Sequence, residues 1–403
     1  MKILVVCQNF YPEEFKVNDL VEGLVKRGNE VTVLTGKPTY PRGPYPKGYK
    51  FWGVQKEEYK GAKVIRLPEL TRGTGGYIGI AKNYFSFLIS STWYARYHDI
   101  EADAILCFQI SPVMMANAAL IYKRKLNAKF VHWVMDLWPE SVTAMTPMKG
   151  GPIIHWLEKF VTKVYEQSDT ILVQSKAFEK NICTKGPFKD KLVFAPNWAE
   201  NIFIEADTSI DENFPLQPNA SEFRVMFAGN IGEAQDMENI IRAANLTKDI
   251  PQIKWMIVGD GRGRDNAEKK VAQLGLNDTV KFLGRYPVET MPKFFAMADV
   301  MLVTLKDKFI FSLTIPSKTQ AYMASSKPIL TMINGVGNEV VKEAKCGLTA
   351  NAEDYQTLAE NVKKMYGMSK EELEEMGKAA KAYYDKNFAK EMVIDRINEI
   401  LSR

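Results

Sequence analysis

Short apolar runs alternate with amphipathic stretches along the whole chain. Residues 3–7 form an apolar run, a loop follows over 8–16, and Val17, Leu20, Val21, Leu24 and Val25 then recur at helical spacing until Gly28. Residues 31–34 resume a strand, and residues 104–108, 130–135, 170–174 and 192–195 repeat the pattern, each run followed by loop and helix signals. Strands alternating with helices predict a parallel, doubly wound sheet. Beyond a polar, Pro-containing stretch the pattern starts again, with strands predicted at 224–228, 254–258, 280–283, 300–304 and 328–332.

The chain has 403 residues, too many for one hydrophobic core, so the two series predict two α/β domains. Hydrophobic residues make up 46% and charged residues 25%, as in globular proteins, and the net charge of +5 does not call for a nucleic-acid partner. The distribution of charge says more. Between Lys37 and Arg96 eleven basic residues, Arg42 among them, face three acidic ones. Tyr40, Tyr45, Tyr49, Phe51, Trp52 and the run 84–89 lie in the same region. Basic charge beside apolar side chains suits an anionic membrane surface, although a solvated loop and a core helix would also produce it. No apolar run reaches the roughly 20 residues needed to span a bilayer, so the expected location is cytoplasmic, at most peripheral to the membrane.

Four cysteines without CxxC spacing and three histidines without H-x-x-x-H spacing argue against structural disulfides and a zinc site. No two aspartates are spaced D-x-D, so any reaction on a nucleotide diphosphate is expected to be independent of metal. The sharpest candidate chemistry lies in residues 309–330. Pro316 suits a helix start, where the N–H groups around Ser317 to Thr319 would point outward and Lys318 would add positive charge. That is the anatomy of a phosphate site, and equally of an ordinary helix start with a solvated lysine. The Gly-rich stretches 229–232, 259–263 and 284–285 follow predicted strands, where open parallel sheets bind ligands, but they lack the dinucleotide fingerprint.

Asp136-Leu-Trp-Pro-Glu140-Ser, Pro196-Asn-Trp198, Ala228-Gly-Asn-Ile-Gly232 followed by Gln235, Gly259-Asp-Gly261, Phe282-Leu-Gly-Arg285 and Ile315-Pro-Ser-Lys318 occur in one order along the chain. Together they resemble the GT-B-fold retaining glycosyltransferases of family four, in the branch of L-fucosamine-type transferases of O-antigen and capsule assembly. The resemblance implies two Rossmann-like domains facing a cleft: 1–197 for the acceptor, a linker at 198–221, and 222–383 for the nucleotide sugar. A last helix, about 384–403, would pack back on the first domain. The implied substrates are a UDP-linked sugar and a saccharide acceptor on a polyprenyl diphosphate, with no cofactor.

The same resemblance implies a donor site from Gly229, Asn230, Gly232, Gln235, Gly259, Gly261, Arg262, Arg285, Pro316, Ser317, Lys318 and Gln320. The Arg and Lys common in the family correspond here to Asn230 and Gln235, so neutralisation of the diphosphate falls to Lys318 and the helix amides, with Arg262 or Arg285 either helping or standing as solvated surface charges. The family's paired glutamates correspond to Leu313 and Ala321, and Gln320 is the candidate to bind a ribose instead, with a solvent-facing or sugar-facing role competing. Asp136, at the carboxyl end of its strand, is expected to bind a sugar hydroxyl or orient the acceptor, with Glu140 as a proton acceptor. A capping role for Asp136 competes with this, and His132, mid-strand, reads as a core histidine. Glu13 and Glu14 read as contacts to acceptor sugars or, in preference, as helix-start residues. Two rivals stay open: a nucleotide-sugar epimerase of the same fold, and a catalytically weak partner subunit.

Overall fold

The computed structural model describes all of residues 1–403 except Arg42, Gly43, Thr74, Gly75 and Ala206, and also leaves out the side chain of Met145. Arg42 of the basic region thus lies outside the described residues. The chain divides into two compact units, Met1–Pro196 with Glu391–Arg403, and Asn197–Lys390.

Among the described residues the first unit holds eight strands: β1 (Lys2–Val6), β2 (Glu30–Gly36), β3 (Gln55–Tyr59), β4 (Ala62–Leu67), β5 (Ala104–Gln109), β6 (Lys129–Val134), β7 (Thr170–Val173) and β8 (Leu192–Phe194). Their order is β3-β4-β2-β1-β5-β6-β7-β8, and only the β3–β4 pairing is antiparallel. The β3–β4 hairpin falls in a region whose sequence reads as a basic loop. As the sheet edge, β3 carries Lys56, Glu57 and Glu58 rather than apolar residues, which blunts the edge and erases the apolar signal. Helix Lys390–Ser402 belongs to this unit from Glu391 onward. Arg27 holds it through Glu391 at 3.0 Å and Asp395 at 2.7 Å, and Asn29 bonds Asn398 at 2.8 Å.

The second unit holds β9 (Phe223–Ala228), β10 (Ile253–Val258), β11 (Val280–Gly284), β12 (Val300–Thr304), β13 (Ile329–Met332) and β14 (Gly347–Ala350). The order is β11-β10-β9-β12-β13-β14, parallel throughout. Strands β9 and β12 are buried along their whole length, as expected of a sheet covered on both faces, which explains why they are apolar apart from Arg224 and Thr304. Strand β14, Gly-Leu-Thr-Ala, has one large apolar residue and escapes the sequence pattern.

Winding reverses at β1, between β2 and β5, and at β9, between β10 and β12. Loops leaving the carboxyl ends at such a reversal diverge and leave a crevice. Each unit therefore presents one built-in place for a ligand.

Candidate active site

In the second unit, three glycine-rich loops at the carboxyl edge are stitched together by backbone hydrogen bonds. Gly229 N–H donates to Val258 O at 2.8 Å, Ile231 N–H to Asp260 O at 2.8 Å, Gly259 N–H to Gly284 O at 2.7 Å and Gly263 N–H to Ile231 O at 2.9 Å. The approach requires glycine at position 259. A Cβ there would sit 1.8 Å from Gly229 O, and φ is +139°. Gly259→Ala is expected to lower the stability of this unit by roughly 2–4 kcal/mol, measurable by thermal unfolding; an unchanged melting temperature would show that the loops adapt. The loops line a pocket of about 660 Å³ with Gly229, Asn230, Gly259, Gly261, Arg262 and Arg285 on its wall. Asp260 and Tyr286 line it too. Neither was singled out from sequence, since an acid and a tyrosine next to glycine-rich turns carry no spacing signal.

Helix Ser317–Ala324 brings Lys318 up behind Gly229. The Lys318 ammonium has no hydrogen-bond partner, lies 3.6 Å from the Phe227 ring centroid, and is pushed down to a pKa of about 7 by burial. A Cβ on Gly229 would come within 2.6 Å of Lys318 Cε and 2.8 Å of Nζ, so the missing side chain makes room for the lysine. The expectation of a solvated lysine fails here. A buried cation without an anion is costly, and the ring face offsets only part of that cost. Pro316 stands at the N-cap with extended backbone, Ser317 is exposed, and Thr319 N–H turns back to Pro316 O at 2.9 Å rather than outward.

The other donor-site candidates are placed as follows. Gln235 Oε1 accepts from Gly232 N–H at 3.2 Å, which shapes the turn after β9. Gln320, almost fully buried, donates through Nε2 to Asn197 O at 2.7 Å, and its Oε1 has no partner. Arg262 and Arg285 are exposed at the pocket mouth. Leu313 and Ala321 are buried apolar residues.

In the first unit, Asp136 follows β6 at the carboxyl edge. Ser111 Oγ donates to Asp136 Oδ2 at 2.7 Å and accepts from Trp138 Nε1 at 3.1 Å, while Gln109 Nε2 donates to the Asp136 carbonyl at 2.9 Å. Burial raises the Asp136 pKa against the opposing pull of the Ser111 bonds. Glu140 is not poised as a proton acceptor: Lys185 at 2.6 Å and Asn181 at 3.0 Å hold its Oε1, leaving only Oε2 without a partner. His132 is fully buried against Gln109 Oε1 at 3.1 Å, and burial lowers its pKa to about 3, so it stays neutral in the core.

Sequence reasoning missed a buried polar network at the ends of β1, β2 and β4. Glu69 Oε1 accepts from Gln8 Nε2 at 2.8 Å, Thr39 Oγ1 at 3.0 Å and Asn83 Nδ2 at 2.6 Å; Oε2 has no partner. Tyr45 OH donates to the Glu69 carbonyl at 2.5 Å. Burial pushes the Glu69 pKa up to about 8. Glu13 is likewise buried, not a helix-start charge, and accepts from Thr39 N–H at 2.7 Å, Tyr40 N–H at 2.5 Å and Asn9 Nδ2 at 2.9 Å. Lys37 and Arg66 of the basic region are buried beside Gln55 and Glu57, so they add nothing to an outer basic face. Among the described residues no group of three or more His, Cys, Asp or Glu could hold a metal ion, and no helix is long and apolar enough to cross a membrane.

Residues 14–198 match the family described as glycosyl transferase 4-like domain, and residues 209–383 match glycosyl transferases group 1. The chain is a glycosyltransferase with a GT-B fold. This glycosyltransferase is similar to WcaI of Escherichia coli K12, named as a colanic acid biosynthesis glycosyl transferase, with 27% identity over 339 residues, 80% of this chain and 81% of WcaI. Its fold matches sucrose-phosphate synthase from Thermosynechococcus elongatus with a TM-score of 0.73 at 17% identity, over 99% of this chain and 98% of that one. It also matches a trehalose-6-phosphate protein from E. coli, solved bound with UDP-2-fluoro glucose, with a TM-score of 0.70 at 12% identity over 100% and 99% of the two chains. The two parallel-sheet domains of a GT-B enzyme are thus established for the glycosyltransferase. The Gly-rich cradle and the buried Lys318 lie in the part matched to group 1, and Asp136 in the part matched to the 4-like domain.

Proposed function

We propose that this glycosyltransferase transfers an N-acetylated amino sugar or deoxy sugar from UDP, with retention, to a saccharide carried on a polyprenyl diphosphate at the cytoplasmic face of the membrane. The pathway would be assembly of an O-antigen or capsule polysaccharide by a branch akin to the L-fucosamine transferases. The observation that carries the reading is the partnerless Lys318 ammonium pressed against Gly229 on the wall of the glycine-rich pocket. An anion is what such a cation lacks, and a diphosphate is the anion that glycosyl transfer must stabilise as it leaves.

In this reading the donor diphosphate sits against the loops at Gly229 and Gly259, with Lys318 behind Gly229 and Arg262 and Arg285 closing on it from the pocket mouth. The bond from the sugar anomeric carbon to the diphosphate oxygen breaks, and its electron pair leaves with the diphosphate. The acceptor oxygen forms its new bond on the same face of the sugar, and its proton passes to a diphosphate oxygen. Little side-chain base catalysis is needed, which accords with the engagement of Glu140 by Lys185. Asp136, held by Ser111, bonds a sugar hydroxyl. Gln320 is turned to Asn197, and its free Oε1 is the atom left for a ribose hydroxyl.

Calorimetric titration with UDP, GDP, TDP and ADP, followed by incubation of the matching sugar nucleotide with and without a lipid-linked saccharide, tests this. Binding of UDP over the other three and donor consumption only with acceptor is the expected result. Consumption without acceptor would mean an epimerase, and no diphosphate binding would leave a partner subunit.

A further inference from the structure

Helix Tyr77–Tyr97 is apolar on two opposite faces, and only one of them is used by the fold. Phe87, Tyr94 and Ala95 point into the core of the first unit. On the other side Ile78, Phe85, Ile89, Trp93 and Tyr97 are each 50–74% exposed. Steps of four from Phe85 to Tyr97 align these side chains along one stripe of the helix. Lys82 and Arg96 lie seven residues either side of Ile89 and so fall in the same arc, and the 21-residue helix contains no Asp or Glu. A helix that is apolar all round is normally covered on both sides.

We propose that this stripe lies against an anionic phospholipid surface, with the helix axis in the plane of the bilayer. Charge decides the occupant. Lys82 and Arg96 sit among aromatic and aliphatic side chains with no acid on the helix, which complements lipid phosphates. A second copy docking by the same stripe would bring like charges together without compensation. Tyr and Trp, each with an apolar body and a polar tip, suit the headgroup boundary. The helix does not span, because two cations interrupt its outer face and no helix among the described residues is apolar and long enough to cross. It leads from the carboxyl end of β4 to the amino end of β5, so its first turn stands on the sheet edge that carries Asp136. The inference deepens the lipid-linked-acceptor reading, since it places that edge beside the lipid.

The test is flotation of the full chain with vesicles of phosphatidylcholine alone and of phosphatidylcholine mixed with phosphatidylglycerol. The wild type, an Ile89→Ser/Trp93→Ser variant and a Lys82→Glu/Arg96→Glu variant are compared. All four positions are exposed, so unchanged melting temperature and UDP affinity serve as fold controls. Wild type is expected to float with the anionic vesicles. The Ser variant should lose at least about tenfold in affinity, equivalent to about 1.4 kcal/mol, and the Glu variant should lose the preference for anionic lipid. Absence of wild-type flotation, or flotation unaffected by both variants, overturns the proposal. So does a dimer in vesicle-free buffer that the Ser variant abolishes, which would mean that a second copy covers the stripe. UDP binding without vesicle binding sinks this inference alone, whereas vesicle binding without any diphosphate binding sinks the donor-site reading alone.

Discussion

Lys318→Met is expected to make the ligand-free protein more stable at neutral pH while weakening diphosphate binding. The two effects share one cause. Burial holds the Lys318 pKa near 7, well below its ordinary 10.5, so keeping the ammonium charged in the folded chain is unfavourable. Between about pH 7 and 10.5 the unfolded chain binds the proton that the folded chain has released, and stability rises with pH across that window. Below pH 7 both states are protonated and the full penalty, a few kcal/mol at most, is present. Methionine has the length of the stem without the charge and removes both the penalty and the slope. Diphosphate binding should act in the opposite direction, because an anion beside Nζ restores the charged form. Affinity in the wild type should therefore fall as pH rises above 7, with proton uptake visible as a dependence of the titration heat on buffer. Loss of a charge-assisted contact predicts a weakening of about 10- to 100-fold in Lys318→Met, and turnover should drop by a further 10- to 100-fold or more if the lysine stabilises the leaving group. Unchanged diphosphate affinity in Lys318→Met would remove the lysine from the site. A variant less stable than wild type at pH 7 would show that the ammonium has a partner in solution.

Glu69→Ala is expected to destabilise the first unit by about 2–4 kcal/mol, because Gln8, Thr39 and Asn83 lose a shared buried acceptor. For a unit of this size that is a fall of roughly 4–16 °C in melting temperature. Glu69→Gln should behave differently. Its amide oxygen can still accept from the same three donors, and it cannot ionise. Glu69 itself is held protonated up to about pH 8, against 4.5 for an ordinary glutamate, so between these values the folded chain keeps a proton that the unfolded chain has released. Stability contributed by this site therefore falls as pH rises from 4.5 to 8, and Glu13 beside it adds a shift of the same sign. The Gln variant should match wild type near pH 5 and exceed it near pH 8.5, while the Ala variant should be weaker at both. Equal loss in Gln and Ala at pH 8.5 would mean that the network needs the ionised carboxylate.

Legibility from sequence tracked burial. Strands β1, β5, β9 and β12 are sandwiched in the interior, so nearly every residue had to be apolar and the runs stood out. Strands β3 and β14 lie at sheet edges, where charge and small residues are allowed, and they were invisible. The glycine-rich turns were visible because close approach of the loops after β9 and β10 excludes any side chain. Glu69 was not, because an acid in a basic stretch looks like surface charge until its three donors, drawn from positions 8, 39 and 83, are brought around it.

What the amino-acid order alone determined is therefore the alternation of elements, the two-domain α/β class, the glycine-rich turns and the presence of a lysine at a helix start. Each follows from constraints acting over a few neighbouring residues: side-chain period, backbone freedom and the stereochemistry of proline. Only the tertiary structure decided that Lys318 is buried rather than solvated, that Glu140 is engaged by Lys185, that Lys37 and Arg66 are interior, and that one face of helix Tyr77–Tyr97 is left bare. Burial and ionisation depend on which distant segments come to surround a group, and that is a property of the packed chain.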